Sequence, residues 1–223
     1  FTVSGGGSIF LCDALYSSKQ IKYISHHHEQ AASFAAESYA RAKNGVGCCF
    51  VTTGPGGTNT LTGVCSAWID SVPVIFISGQ VFLNQTIQKT KKRQIGVQEI
   101  NIIDIAKPIT KFSKMITDAN SINFYLEKAY SIAKSGRPGP VFLDIPADIQ
   151  NAMIDENKIL KKKYKVPKEN FSIDTKLNLI IKKLKNSKRP LIHLGHGVKL
   201  SEAQKLVKIF FNKFKIPFVV TWN

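Results

Sequence analysis

Apolar positions in the first 150 residues follow two alternating rhythms. Continuous apolar runs at 46–52, 73–78 and 141–145 have the length and composition of strands buried on both faces. Between the first two, residues 29–43 space Ala32, Ala35, Ala36, Tyr39 and Ala40 at i, i+3, i+4 and i+7, as in a helix packed closely on a sheet. Asn44-Gly45 closes that helix with residues that tolerate a left-handed cap. A second helix is predicted from the turn Gly54-Pro55-Gly56-Gly57-Thr58-Asn59 to about Asp70. Shorter signals add a helix over 8–15, a strand over 21–25, a short helix with its approach over 94–106, a strand over 109–115 and a helix over 119–134. Gly136-Arg137-Pro138-Gly139-Pro140 is a hard turn into the last strand, which Pro146 ends. Over 80–93 the sequence is polar, rich in Gln and Lys and without period, which predicts a mobile surface loop. The β-α-β-α-β order implies an α/β fold: a three-layer arrangement around a parallel sheet with right-handed crossovers.

The rhythm lapses after residue 147, where Lys161-Lys162-Lys163 appears, and resumes beyond 171. A helix over 173–184, a strand over 190–195, a helix over 201–214 and a strand over 217–222 open a second, Rossmann-like α/β unit. The expected organisation is a first domain over 1–150, a linker over 151–171 and the first part of a central α/β domain over 172–223. The chain has 223 residues, of which 43% are hydrophobic and 21% charged, a soluble globular composition. No apolar run approaches the roughly 18 residues of a membrane span, and no signal peptide opens the chain, so a cytoplasmic protein is expected. Phe1-Thr2-Val3-Ser4-Gly5-Gly6-Gly7 looks like the end of a strand entering a Gly turn, with sequence expected upstream. Cys12, Cys48, Cys49 and Cys65 have apolar neighbours and no metal-ligand spacing, as expected of free thiols.

The net charge of +16 is unevenly placed. Residues 1–157 carry 14 basic and 12 acidic side chains, and 158–223 carry 17 and 3. Of the 31 basic residues, only Arg41, Arg93, Arg137 and Arg189 are Arg, whereas base-edge and bidentate phosphate recognition favours Arg. This points to a solvated Lys surface facing an acidic partner segment and away from nucleic acid.

Candidate chemistry concentrates at Ser25-His26-His27-His28-Glu29-Gln30. Consecutive residues in extended backbone point to alternate faces, so three histidines in a row cannot ligate one ion, and no metal is assigned to them. Glu29 stands at a strand-to-helix junction, where open α/β sheets place ligands. On local grounds it equally suits the positive end of any helix dipole. His28 beside it can supply a hydrogen bond or proton to the same cleft. The Gly54–Asn59 stretch lacks the Lys and spacing of a P-loop and reads as a ligand loop or a tight turn. Gln98-Glu99, taken alone, is a solvated helix start. Gly195-His196-Gly197 is part of a dinucleotide turn without its third Gly.

In combination these stretches resemble the thiamine diphosphate enzymes of the acetolactate synthase type. The likeness runs in order through His28-Glu29-Gln30, Glu37-Ser38-Tyr39-Ala40-Arg41-Ala42, Thr52-Thr53-Gly54-Pro55-Gly56-Gly57-Thr58-Asn59, Asp70-Ser71-Val72-Pro73-Val74 and Ser78-Gly79-Gln80-Val81. It continues through Val97-Gln98-Glu99, Pro108-Ile109-Thr110-Lys111 and Gly136-Arg137-Pro138-Gly139-Pro140-Val141-Phe142-Leu143-Asp144-Ile145-Pro146. It is dense over about residues 1–150 and looser beyond.

The resemblance identifies 1–150 with the pyrimidine-binding (PYR) domain. It implies that Glu29 hydrogen-bonds the aminopyrimidine at N1′ and so promotes the tautomer that activates the thiazolium C2 for attack on a 2-oxo acid such as pyruvate. It implies further that Ser4, Gly5, Thr52, Pro55 and Asn59 line the pyrimidine and that Gln98 reaches towards the reacting end. This chemistry requires a desolvated Glu29 at an interface. In the family, Mg²⁺ and the diphosphate are held by a separate domain carrying a Gly-Asp-Gly motif, which is absent from these residues. That domain belongs to a neighbouring subunit, so a homodimer or homotetramer is implied. FAD is usual in acetolactate synthases, but Gly195-His196-Gly197 does not assign it here. Val3-Ser4 replaces the family's Tyr-Pro, Val97 replaces its Phe, and the loop between Gln80 and Gln98 is longer than in acetolactate synthases. The implied activity is a carboligase or decarboxylase of 2-oxo acids. The alternatives are a related lyase or transferase of specialised metabolism, or a non-catalytic dimerisation module.

Overall fold

The computed structural model describes all residues except 88–89, 156, 158–163, 168–172 and 223. The chain divides into two compact units, Phe1–Val166 and Pro167–Asn223. Lys161-Lys162-Lys163 and most of the stretch expected as a linker lie outside the described residues.

In the first unit, helix α1 (Ile9–Ser17) and helix α2 (Glu29–Lys43) precede strand β1 (Gly47–Val51). Helices α3 (Pro55–Asn59) and α4 (Leu61–Ile69) lead to β2 (Val74–Gln80), and α5 (Ile102–Ala106) leads to β3 (Phe112–Met115). Helix α6 (Ile122–Lys134), strand β4 (Val141–Pro146) and the short α7 (Ala147–Gln150) follow. The strands form one parallel sheet in the order β1-β2-β4-β3. Thr2 lengthens its β1 edge, bridging in parallel to Phe50 and to Ser25.

Strand alternation divides the core in two. Cys49, Val51, Val74, Phe76 and Phe142 meet Ala32, Ala36 and Ala40 of α2, Val64 and Ala67 of α4, and Ile102 and Ala106 of α5. Ile75, Ile77, Val141, Leu143 and Ile145 meet Leu11 of α1 and Ala129 and Ala133 of α6. Helices therefore cover both faces. Small residues on α2 let it lie close to the sheet: a Cβ on Gly47 would stand 2.1 Å from the Ala36 carbonyl oxygen. Asn44 caps α2 in the left-handed conformation, φ 50°. Burial pushes the Cys49 thiol up to about 12, which keeps it protonated.

Several expectations need correction. Residues 21–24 form no strand: Ile21, Tyr23 and Ile24 are exposed, and only Ser25 bridges to Thr2. An apolar stretch at a sheet edge has too little neighbouring surface to bury it. Cys48 and Phe50 are not buried as a two-sided core strand would have them. The single long helix over 54–70 is broken at Thr60, whose hydroxyl turns back to the Gly57 carbonyl at 2.7 Å. The short helix expected with its approach over 94–106 is α5, at the end of that stretch, whereas the strand expected over 109–115 begins only at Phe112. In the 80–93 region Gln80 belongs to β2 and is wholly buried, and Leu83–Gln85 forms a 3₁₀ turn.

The second unit contains α8 (Asp174–Asn186), β5 (Ile192–Leu194), α9 (Gly197–Leu200), α10 (Gln204–Phe214) and β6 (Phe218–Val220). β5 and β6 pair in parallel, with Ile192 opposite Phe218. Phe210, Phe211, Phe214 and Phe218 form a chain of ring contacts within it.

Candidate functional site

Four segments converge where the first strand ends. Thr52 is their hub. Its hydroxyl accepts a hydrogen bond from the Gly7 amide at 3.1 Å, which pins the N-terminal turn to the end of β1. Gly5 packs so closely that a Cβ there would stand 2.6 Å from the Thr52 Cβ, and a Cβ on Gly56 would stand 2.7 Å from the Thr52 methyl. Glu29 arrives from the first turn of α2. Its Oε2 accepts a hydrogen bond from Asn59 Nδ2 at 3.0 Å, and its Oε1 faces the Gly56 backbone, 3.7 Å from where a Cβ would be. Glu29 is half-buried and Asn59 exposed, so this chain by itself leaves the carboxylate open to a ligand or a further surface.

The expected site residues are thus partly gathered. Glu29 and Asn59 are hydrogen-bonded, Gly5 packs on Thr52, and Gly56 lies against both Thr52 and Glu29, while Ser4 on the N-terminal turn and Pro55 at the start of α3 are exposed. His28 has a different local task. It is the N-cap of α2, with Nδ1 accepting from the Gln30 amide at 3.1 Å, one of the donors a helix start leaves unpaired. Its ring is exposed.

Gln98 approaches by its backbone. Gly54 has φ 59°, and a Cβ there would fall 2.1 Å from the Gln98 carbonyl oxygen. Only glycine allows both the turn and that approach. Gln98 itself has φ 59°, a conformation costing a non-glycine residue about 1 kcal/mol or more, and its side chain is exposed.

Glu99 is no solvated helix start. It is buried, with Oε1 accepting from the Ile87 amide at 3.1 Å and Oε2 from the Ile95 amide at 3.3 Å. A second buried carboxylate, Asp144, stands in register with Ser78 on β2 and Met115 on β3. Ser78 Oγ donates to its Oδ1 at 2.6 Å and Gln80 Nε2 to its Oδ2 at 3.0 Å. Burial pushes the Asp144 carboxyl up to about 7 against the lowering effect of these two bonds, and the Glu99 charge adds to the rise. Sequence reasoning placed neither Glu99 nor Asp144 in this role. The available signal was three polar residues, Ser78, Gln80 and Asp144, inside otherwise apolar strand runs.

Among the described residues no group of three His, Cys, Asp or Glu side chains is placed to hold a metal ion, and no helix is long and apolar enough to cross a membrane.

The arrangement is that of a parallel α/β domain presenting an acid and an amide beside closely packed glycine turns. Residues 1–102 match the family model described as thiamine pyrophosphate enzyme, N-terminal TPP binding domain. Residues 1–102 therefore belong to the N-terminal domain family of thiamine pyrophosphate enzymes, a domain family that implies thiamine diphosphate. The chain's relatives narrow this further. It is 34% identical to the acetolactate synthase large subunit of Pyropia yezoensis, over 99% of this chain and 38% of that protein. It is 35% identical to that of Corynebacterium glutamicum (99% and 34%) and 36% identical to the chloroplastic acetolactate synthase of Arabidopsis thaliana (88% and 29%). The chain is thus homologous to acetolactate synthases along nearly its whole length and spans less than two-fifths of theirs.

Proposed function

We propose that this chain supplies the pyrimidine-binding half of a thiamine diphosphate-dependent active site, in an acetolactate synthase-like carboligase or decarboxylase of 2-oxo acids. The observation that carries the reading is the Glu29–Asn59 pair: a carboxylate at a helix start, oriented by one amide and left half-open among glycine turns. These residues fit a flat, weakly basic heteroaromatic ring. The carboxylate offers an acceptor at the rim, and the close-packed Gly5 and Gly56 leave backbone where side chains would otherwise crowd the ring. When bound, thiamine diphosphate supplies the carbon nucleophile and electron sink that 2-oxo acid decarboxylation needs.

Glu29 would take and return a proton at the pyrimidine N1′, with Asn59 fixing its orientation. Gly5, Thr52 and Pro55 would shape the ring's seat, Ser4 would border it, and Gln98 would extend towards the substrate end. His28, beyond capping α2, would lie at the margin of the same cleft. Desolvation of Glu29 would require a second protein surface, consistent with assembly as a homodimer or homotetramer. Mg²⁺ and the diphosphate would be held by residues outside this sequence, and Pro167–Asn223 would begin a central α/β domain.

Titration of thiamine diphosphate with Mg²⁺ into this chain and into the naturally expressed protein tests the reading. Cofactor binding by the latter, with turnover of a 2-oxo acid, is expected. Absence of binding in both would overturn it in favour of a non-catalytic module.

A further inference from the structure

The segment between β2 and α5 is tied down at both ends by carboxylates that the proposed chemistry does not use. At its start, Asp148 accepts the Leu83 amide on both oxygens, at 3.1 and 3.2 Å. At its end, Glu99 reaches back to Ile87 and Ile95, residues 12 and 4 positions earlier. The Gly96 amide donates to the Gln85 carbonyl at 2.9 Å, closing the two limbs on each other. Beyond Glu99, the Ile100 carbonyl accepts from Gln80 Nε2 at 2.9 Å, and the same nitrogen donates to Asp144. Asp144 is in turn fixed by Ser78. Gln98 stands between these anchors, with a left-handed backbone and its carbonyl against Gly54.

A residue at positive φ keeps that conformation only where its surroundings over-determine it. The neighbours of Gln98 do so. Glu99 is the element that converts an otherwise aperiodic stretch into a closed loop, because one carboxylate satisfies two amides far apart in sequence. Buried acceptors of this kind are costly to remove, since both amides then lose their partner.

We propose that Glu99 is a positioning residue: it closes the loop and, with the Asp144–Gln80 relay behind it, holds Gln98 against the Gly54 turn beside the Glu29–Asn59 pair. The assignment of the loop's anchor stands on geometry alone; its consequence for catalysis rests on the functional reading above. A connection as long as that from Gln80 to Gln98 needs such anchors to keep one geometry. A longer connection costs more entropy to hold in one geometry.

The test has two arms. In this chain, amide hydrogen exchange is measured for Glu99→Ala and Glu99→Gln. Glu99→Ala is expected to speed exchange at Ile87, Ile95 and residue 99 itself on the order of tenfold or more, while the β2 amides of Ile75 and Ile77 stay protected. Glu99→Gln keeps a single acceptor, so one of Ile87 and Ile95 is expected to remain protected. Unchanged exchange at Ile87 and Ile95, or equal acceleration in β2, overturns the anchor. In the naturally expressed protein, Glu99→Ala is expected to lower kcat with cofactor affinity retained, and its effect is expected to vanish when Gln98→Ala is already present. Additive losses would overturn action through Gln98. Absence of thiamine-dependent turnover in the unmodified protein would instead remove the functional reading, and the exchange arm would still decide whether Glu99 closes the loop.

Discussion

Two carboxylates on the same side of the sheet have opposite surroundings. Asp144 is in register with Ser78 and, through it, with Val51 at the end of β1. It is wholly buried and satisfied by Ser78 and Gln80. Glu29, just beyond the end of β1, is half-buried and has Asn59 as its hydrogen-bond donor. A buried, fully partnered carboxylate has little capacity left for a ligand; its energy is invested in the geometry around it. A half-open one, oriented by an amide, retains an oxygen for an incoming group. The difference separates the residue that holds the fold from the residue proposed to meet the cofactor.

That contrast breaks most visibly at Glu29. Glu29→Gln is expected to lower thiamine-dependent turnover at least about 100-fold, the scale of a lost acid–base group, while the unfolding midpoint of this chain moves little. Asp144 should behave in the reverse sense. Asp144→Ala leaves the Ser78 hydroxyl without its acceptor and Gln80 with the Ile100 carbonyl alone, and is expected to cost about 2–4 kcal/mol in denaturant unfolding.

The titration of Asp144 sharpens the point. Its folded-state value of about 7 lies above the ordinary carboxylate range, so over pH 4–7 the folded chain holds a proton that the unfolded chain has lost. The Asp144 contribution to stability is therefore greatest at the acid end, falls as pH rises through this window, and is flat above it. The full change is on the order of 4 kcal/mol. Unfolding curves of the unmodified chain and of Asp144→Asn isolate it: their difference should change with pH between 4 and 7. A constant difference would contradict the burial argument.

Smaller effects probe the turns. Gly54→Ala must place a methyl group 2.1 Å from the Gln98 carbonyl in a left-handed backbone, and should cost about 1–3 kcal/mol with faster exchange centred on residues 96–99. At His28 only the cap is at stake for stability. His28→Ala should cost about 0.5–1 kcal/mol, and His28→Asn, which restores an acceptor for the Gln30 amide, close to nothing.

Local patterns encoded some of this and missed the rest for identifiable reasons. Helix α2 was legible from start to finish because its small residues recur on one face and Asn44-Gly45 stops it. β2 and β4 were legible as apolar runs, since parallel strands covered on both faces need no alternation. The run over 21–25 looked the same, but its fate depends on sitting at an edge, which local composition does not report. Glu99 was misread because its partners, Ile87 and Ile95, turn towards it only after the loop has closed. Ser78, Gln80 and Asp144 were visible as polar interruptions, yet their meeting depends on the β2–β4 register. Within the candidate site, the family motifs pointed to Glu29, Thr52 and Asn59, which the structure brings to the end of β1; the capping task of His28 emerges only from its ring geometry.

The most direct test is exchange of the thiazolium C2 proton of thiamine diphosphate for deuterium, followed by NMR with the naturally expressed protein and its Glu29→Gln variant at equal cofactor occupancy. Rapid exchange is expected in the unmodified protein, with a loss of at least about 100-fold in the variant. Equal exchange rates in the two would contradict the role assigned to Glu29.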